Sequence, residues 1–142
     1  MKLVVDASVA VLWFVEQTHA LHAVRLLDGT YRLCAPDFML VEMANVLWKL
    51  RRRHQLTGPS SDKAMRELDG GDIAYLPTPP LLGRACAIAD ALDHPVYDCL
   101  YLAAAEATGV PVVTADRRFF DRAAASGWRD RVLWIEDLPP TP

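Results

Sequence analysis

Two rhythms of apolar and polar positions alternate along the chain. Lys2–Val5, Arg32–Ala35, Ile73–Leu76, Val110–Thr114 and Arg131–Ile135 are short β-branched or apolar runs bounded by Pro, Gly or Asp, the pattern of strands buried on both faces. Between them the apolar residues recur three and four apart. They predict helices over Ser8–Val15, Ala20–Asp28, Phe38–His54, Ser60–Asp69, Pro80–Leu92, Asp98–Thr108 and Arg117–Ser126. Strands separated by helices imply a parallel sheet covered on both faces, because parallel neighbours need long crossovers and these are usually helical. Thr57-Gly58-Pro59, Gly70-Gly71 and Pro77-Thr78-Pro79-Pro80 punctuate the pattern as loops rather than domain linkers. A single domain is expected over residues 1–138, followed by a Pro-rich surface tail over 139–142, since proline continues neither a helix nor a central strand.

Composition agrees with one domain: 142 residues, 52% of them hydrophobic, can bury a sizeable core without a second unit. The longest purely apolar run, Val9–Val15, is far short of the roughly 20 residues that span a bilayer. Met1-Lys2-Leu3-Val4-Val5 begins like a signal peptide, but Asp6 interrupts it and no small-residue cleavage site follows. A cytoplasmic protein with no membrane association is expected. Cys34, Cys86 and Cys99 are odd in number and include no Cys-x-x-Cys pair, which argues against a disulfide framework or a zinc site and for buried thiols. A net charge of -3 excludes a protein that coats nucleic acid by bulk attraction, so any such contact must be local.

The candidate chemistry lies in four acids. Asp6 follows the first strand directly and Asp116 lies two residues past the fourth, at the carboxyl ends where open parallel sheets place their ligand crevices. Glu42, near the start of the long helix, and Asp98, opening a later one, would begin at that same edge. Oxygen ligands clustered in this way suit a hard cation such as magnesium. Without a cation the like charges raise one another's proton affinity; with one, the site can acidify a water and stabilise charge on a phosphate. Each acid also has a purely structural role open to it: Asp98 as a helix cap, Asp6 and Asp116 as strand-ending turn residues, and Glu42 as part of a solvated stripe with Asn45, Lys49 and Arg52. Ser8 and Thr114, two residues from Asp6 and Asp116, are candidate donors to those carboxylates, with a plain helix N-cap as the other role for Ser8.

Four segments, Val4-Val5-Asp6-Ala7-Ser8, Val41-Glu42-Met43-Ala44-Asn45-Val46-Leu47, Tyr97-Asp98-Cys99-Leu100-Tyr101-Leu102-Ala103 and Val113-Thr114-Ala115-Asp116-Arg117-Arg118-Phe119, together resemble PIN-domain ribonucleases, especially VapC-type toxins. The resemblance runs from Lys2 to about Leu138, with the motifs in family order. It implies a three-layer α/β/α sandwich with a five-stranded central parallel sheet, a magnesium- or manganese-dependent endoribonuclease, and inhibition by a small cognate antitoxin. It further implies that Asp6 and Asp98 are the principal metal ligands, that Glu42 and Asp116 complete the acidic site, and that Asn45 supports it.

Arg117 and Arg118 follow Asp116 closely enough to hold a neighbouring RNA phosphate, whereas Lys49, Arg51, Arg52 and Arg53 can equally complement the negative end of their own helix. Trp13, Phe14, Trp48, Trp128 and Trp134 lie mostly in apolar segments, where core or subunit packing is the default, and the aromatic early helices favour a homodimer. Two other classes stand beside the nuclease. A phospho-receiver module shares the parallel sheet but expects an Asp after its central third strand, where this chain has Pro77-Thr78. A non-catalytic PIN scaffold that binds RNA or protein would keep the fold without the chemistry.

Overall fold

In the computed structural model, which describes residues Met1–Pro140, five parallel strands form one sheet in the order β3-β2-β1-β4-β5. The strands are β1 (Lys2–Val5), β2 (Arg32–Pro36), β3 (Ile73–Leu76), β4 (Val112–Thr114) and β5 (Val132–Trp134). The helices are α1 (Ala7–Ala10), α2 (Ala20–Val24), α3 (Phe38–Arg52), α4 (Gly58–Gly70), α5 (Leu82–Leu92), α6 (Val96–Thr108) and α7 (Arg117–Ala124). Leu3, Val4 and Val5 are fully buried, as a central strand covered on both faces requires. Its register sets Val4 against Cys34 of β2 and against Val112 of β4.

From β1 the chain first steps outward through β2 to β3, then returns across the sheet to β4 and β5. Right-handed crossovers therefore carry α1 to α4 over one face and α5 to α7 over the other, giving three layers. The contacts follow that division, with α1 against α3, α3 against α4, and α5 against α6. The reversal between β1 and β4 is the switch point, and the crevice at its carboxyl edge lies between Asp6 and Asp116. β3 lies at the edge of the sheet, not at its centre, so the receiver arrangement does not apply.

α6 is the central helix. Every residue from Cys99 to Ala105 is buried, and it touches β1, β2 and β4. Gly109, at φ 71°, closes it in the left-handed region that favours glycine and turns the chain toward β4. α4 begins at Gly58, earlier than expected, because the Thr57 hydroxyl accepts from the Ser60 N–H at 3.1 Å and Pro59 fits the first turn.

Several expectations need correction. The first two helices are shorter and tighten into 3₁₀ turns over Val11–Trp13 and Arg25–Leu27, where the Trp13 indole N–H reaches across to the Ala23 carbonyl at 2.9 Å. β4 starts at Val112 because Pro111 has no N–H to give the ladder, and Ile135 leaves β5 for a 3₁₀ turn. Cys34 and Cys99 are buried, but Cys86 is exposed on α5. Trp48 is exposed rather than packed in the core. The tail is exposed at Pro139 and Pro140, yet the Pro139 carbonyl accepts from Arg25 and from the Tyr31 hydroxyl, which ties it down; Thr141 and Pro142 lie outside the described residues. No helix among the described residues is long and apolar enough to cross a membrane.

Candidate active site

Asp6 occupies the N-cap position of α1 without using its side chain as a cap, which releases the carboxylate for other partners. Its Oδ2 accepts from the Ser8 and Thr114 hydroxyls, each at 2.7 Å. Those hydroxyls are themselves fixed from the other strand's end: Ser8 Oγ accepts from the Ala115 N–H and Thr114 Oγ1 from the Asp116 N–H, both at 3.0 Å. Since each hydroxyl has one proton and gives it to Asp6, the 3.2 Å approach between Ser8 and Thr114 is a packing contact. Ser8 lies inside α1, so its role is this bond and not the N-cap.

Glu42 projects from the first turns of α3, with Oε1 accepting from the Tyr101 hydroxyl at 2.5 Å. Asp98 sits within the first turn of α6, which starts two residues earlier than expected, at Val96. There the carboxylate faces the positive end of the helix dipole, and its Oδ2 meets His94 Nε2 at 2.6 Å. Asp116 caps α7, its Oδ1 accepting from the Phe119 N–H at 3.2 Å.

The protein's hydrogen bonds thus engage only one oxygen of each acid. Among the described residues, Asp6 Oδ1, Glu42 Oε2, Asp98 Oδ1 and Asp116 Oδ2 have no hydrogen-bond partner, and none of them is a fully buried orphan.

The four carboxylates influence one another's proton affinity. Burial, then the charges of Asp98 and Asp116, push Asp6 up to about 6 against the pull of its two hydroxyl donors. Burial raises Glu42 to about 7, with Asp6 and Asp98 adding to it and the Tyr101 bond opposing. Asp98 is raised mainly by burial and also by Asp116, while His94 and Arg118 hold it down. The Tyr101 hydroxyl is driven strongly upward by burial and by the acids, so it stays a donor.

The acids do not form a ready-made cage: among the described residues no group of three or more His, Cys, Asp or Glu side chains is close enough to hold one ion. The donor set still fits magnesium or manganese, because magnesium retains most of its waters and takes one or two carboxylates together with a substrate phosphate. Softer zinc would want nitrogen or sulfur, and the nearest imidazole already bonds Asp98.

Other expected residues are placed unequally. Asn45 is exposed one turn along α3 from Glu42 and has no side-chain hydrogen bond among the described residues. Arg118 is exposed and close enough to Asp98 to lower its proton affinity. Arg117 turns away: it pairs with Asp121 at 3.1 Å and lies over the Phe120 and Trp134 rings at 5.2 and 4.9 Å, so the structure does not bring it to the acids. Sequence reasoning missed Tyr101 and His94. A tyrosine in a helix that is apolar all round needs a partner for its hydroxyl, which is a usable signal; a lone histidine before Pro95 gives none.

The PIN domain model matches residues 3–125 of this chain. Ribonuclease VapC3 of Pyrobaculum aerophilum is 33% identical over 127 residues, covering 88% of this chain and 97% of the relative. Among solved structures, the crystal structure of PAE2754 from Pyrobaculum aerophilum superposes with a TM-score of 0.72 at 22% identity, over 97% of this chain and 92% of that one. A toxin-antitoxin complex from Klebsiella pneumoniae superposes with a TM-score of 0.62 at 14% identity, over 92% and 95% of the two chains. With the strand order, the four acids at one edge and a family match over most of its length, the chain belongs to the PIN-domain family, in its VapC branch.

Proposed function

We propose that this protein is an endoribonuclease dependent on magnesium or manganese, and the toxin of a toxin-antitoxin pair. The observation that carries the reading is the split use of each carboxylate: around the switch point, Asp6, Glu42, Asp98 and Asp116 each commit one oxygen to the protein and leave the other without a hydrogen-bond partner among the described residues. A purely structural acid would satisfy both oxygens or face bulk water. The similarity to a ribonuclease supports RNA as the substrate class, and the likeness to a chain in a toxin-antitoxin complex is in keeping with the toxin role.

When bound, a divalent cation supplies Lewis acidity toward phosphate and water. The chain's own residues do the rest. Asp6 and Asp98 are proposed as the principal ligands, with Glu42 and Asp116 completing the site. Ser8, Thr114 and Tyr101 fix the orientation of Asp6 and Glu42, so that less reorganisation is needed when substrate arrives. Arg118 is proposed to meet a neighbouring phosphate. In hydrolysis a water oxygen adds to phosphorus as a phosphorus–oxygen bond to ribose breaks, the departing oxygen taking up a proton.

The antitoxin is proposed to lie over the early helices, where Leu21, Val24 and Leu27 are exposed beside Trp13 and Phe14, and to place a basic side chain in the acidic edge. A cytoplasmic homodimer is the expected state. The test is to incubate purified protein with total RNA in magnesium, in manganese and in excess chelator, and to sequence the new RNA ends. Discrete ends that require the metal support the reading; unchanged RNA in both metals would establish a non-catalytic scaffold instead.

A further inference from the structure

Resting on the reading that Asp98 faces the cation, we propose that His94 is a positioning residue for the metal site, its imidazole N–H holding Asp98 Oδ2 so that Oδ1 is presented to the ion. The two meet at 2.6 Å, and the His94 side chain is only 3% exposed. Three features make this histidine a fixed donor. Asp93, at φ 51°, closes α5 in the left-handed region, and the His94 N–H bonds back to the Ala89 carbonyl at 3.2 Å. Pro95 then caps α6, so the backbone is held from both sides. The ring stacks on fully buried Phe119 with centroids 5.7 Å apart and planes 20° from parallel.

The tautomer follows from burial. His94 Nδ1 is buried with no hydrogen-bond partner. A proton there would strand an N–H in the core, a costlier loss than a bare lone pair flanked by an aromatic ring, so the proton sits on Nε2 and is donated to Asp98. Phe119 links the arrangement to the next acid, since its own N–H is the one that Asp116 accepts. One stacked pair thereby sets one oxygen of Asp98 and one of Asp116. Hydrogen-bond partners of ligating carboxylates are worth about 10- to 100-fold in metal affinity.

The experiment measures manganese binding by calorimetry, together with melting temperature, for the wild type, Asp98→Asn, His94→Phe and His94→Gln. Phenylalanine keeps the ring and its stack but has no donor; glutamine keeps an N–H at similar reach and loses the ring. We expect His94→Phe to bind manganese about tenfold more weakly while folded, His94→Gln to recover most of that loss, and His94→Phe to have no further effect in the Asp98→Asn background. Unchanged affinity in a folded His94→Phe would overturn the proposal, as would equal losses in the two His94 variants. If Asp98→Asn itself leaves affinity unchanged, the reading of the site has failed and the proposal with it; weaker binding in Asp98→Asn but not in His94→Phe sinks His94 alone. Should His94→Phe fail to fold, nitrogen NMR of the wild type decides: magnesium must move the His94 Nε2–H resonance, and no movement overturns the role.

Discussion

The two edges of the sheet are built on opposite terms. At the carboxyl edge, four carboxylates lie around the switch point, and among the described residues one oxygen of each lacks a hydrogen-bond partner. At the amino edge a cavity of about 220 Å³ opens between the 3₁₀ turns Val11–Trp13 and Arg25–Leu27, α4 and the starts of β2 and β3, its apolar lining including Trp13, Phe14, Leu26, Leu33, Leu68 and Ile73. That cavity has apolar walls with Tyr31, Glu67 and Asp72 among its lining residues. The carboxyl edge instead presents oxygen atoms, and burial together with neighbouring charge raises the proton affinity of Asp6, Glu42 and Asp98. The amino edge stabilises the fold by burial alone. If the carboxyl edge carries the proposed function, each edge can be perturbed while the other is watched.

The largest effect is expected from removing one charge at the carboxyl edge. Asp98→Asn or Asp6→Asn should lower RNA cleavage at least about a thousandfold, because metal charge stabilisation supplies several kcal/mol and each 1.4 kcal/mol is tenfold. The melting temperature of the metal-free variant should hold or rise, as Asn keeps the side-chain volume and its amide oxygen can still accept from Ser8 and Thr114 at position 6. Undiminished cleavage by either variant would remove that acid from the site.

The converse change tests the other edge. Leu26→Ala, at a residue 1% exposed, should cost about 2–5 kcal/mol by urea unfolding, because the cavity already beside it limits how well the core can collapse. Cleavage per folded molecule should stay as it was. A loss of activity beyond the unfolded fraction would mean that the edges are coupled.

A third prediction uses pH. Asp6 and Glu42 bind protons more tightly in the folded chain than in the unfolded one, with folded values of about 6 and 7. Between about pH 4 and 7 the native state therefore holds more protons, and stability falls as pH rises through that window. The metal-free protein should be more stable at pH 5 than at pH 8, by on the order of 2 kcal/mol after allowing for solvent screening at Glu42. Saturating magnesium should flatten the dependence. A metal-free protein that gains stability from pH 5 to 8 would contradict the effect of burial, and of the neighbouring charges, on these two acids.

The smallest effect separates two neighbours. Arg118→Ala should weaken RNA binding a few-fold and reduce the slope of log affinity against log salt by about 1, the signature of one lost phosphate contact. Arg117→Ala should leave that slope alone, since its guanidinium is engaged by Asp121, Phe120 and Trp134. A change in slope for Arg117→Ala alone would reverse the assignment.

Much of this molecule could be read from the chain because the relevant physics is local. The parallel sheet was legible in doubly buried runs such as Leu3-Val4-Val5, whose residues need cover on both faces whatever their neighbours. Asp6 and Asp116 were legible as crevice residues because a strand's carboxyl end is fixed by where its apolar run stops. Glu42 stood out as a charge ringed by apolar helix positions. Short-range competition blurred the ends: Pro111 withheld a ladder donor from β4, and Trp13 tightened the end of the first helix by reaching Ala23.

What only the tertiary structure decided is direction. Sequence spacing places Arg117 and Arg118 side by side, but a helix turns successive residues about 100° apart, and the aromatic ledge of Phe120 and Trp134 takes the first while leaving the second near Asp98. Ser8, a natural helix cap by type, became a donor to Asp6 because Ala115, more than a hundred residues away, supplies an N–H to its oxygen. His94 and Tyr101 entered the site through the packing of α5, α6, α3 and α7 against one another. Local propensity sets which elements form and where they end; which oxygen of a carboxylate is held and which stays open depends on donors brought together from across the fold.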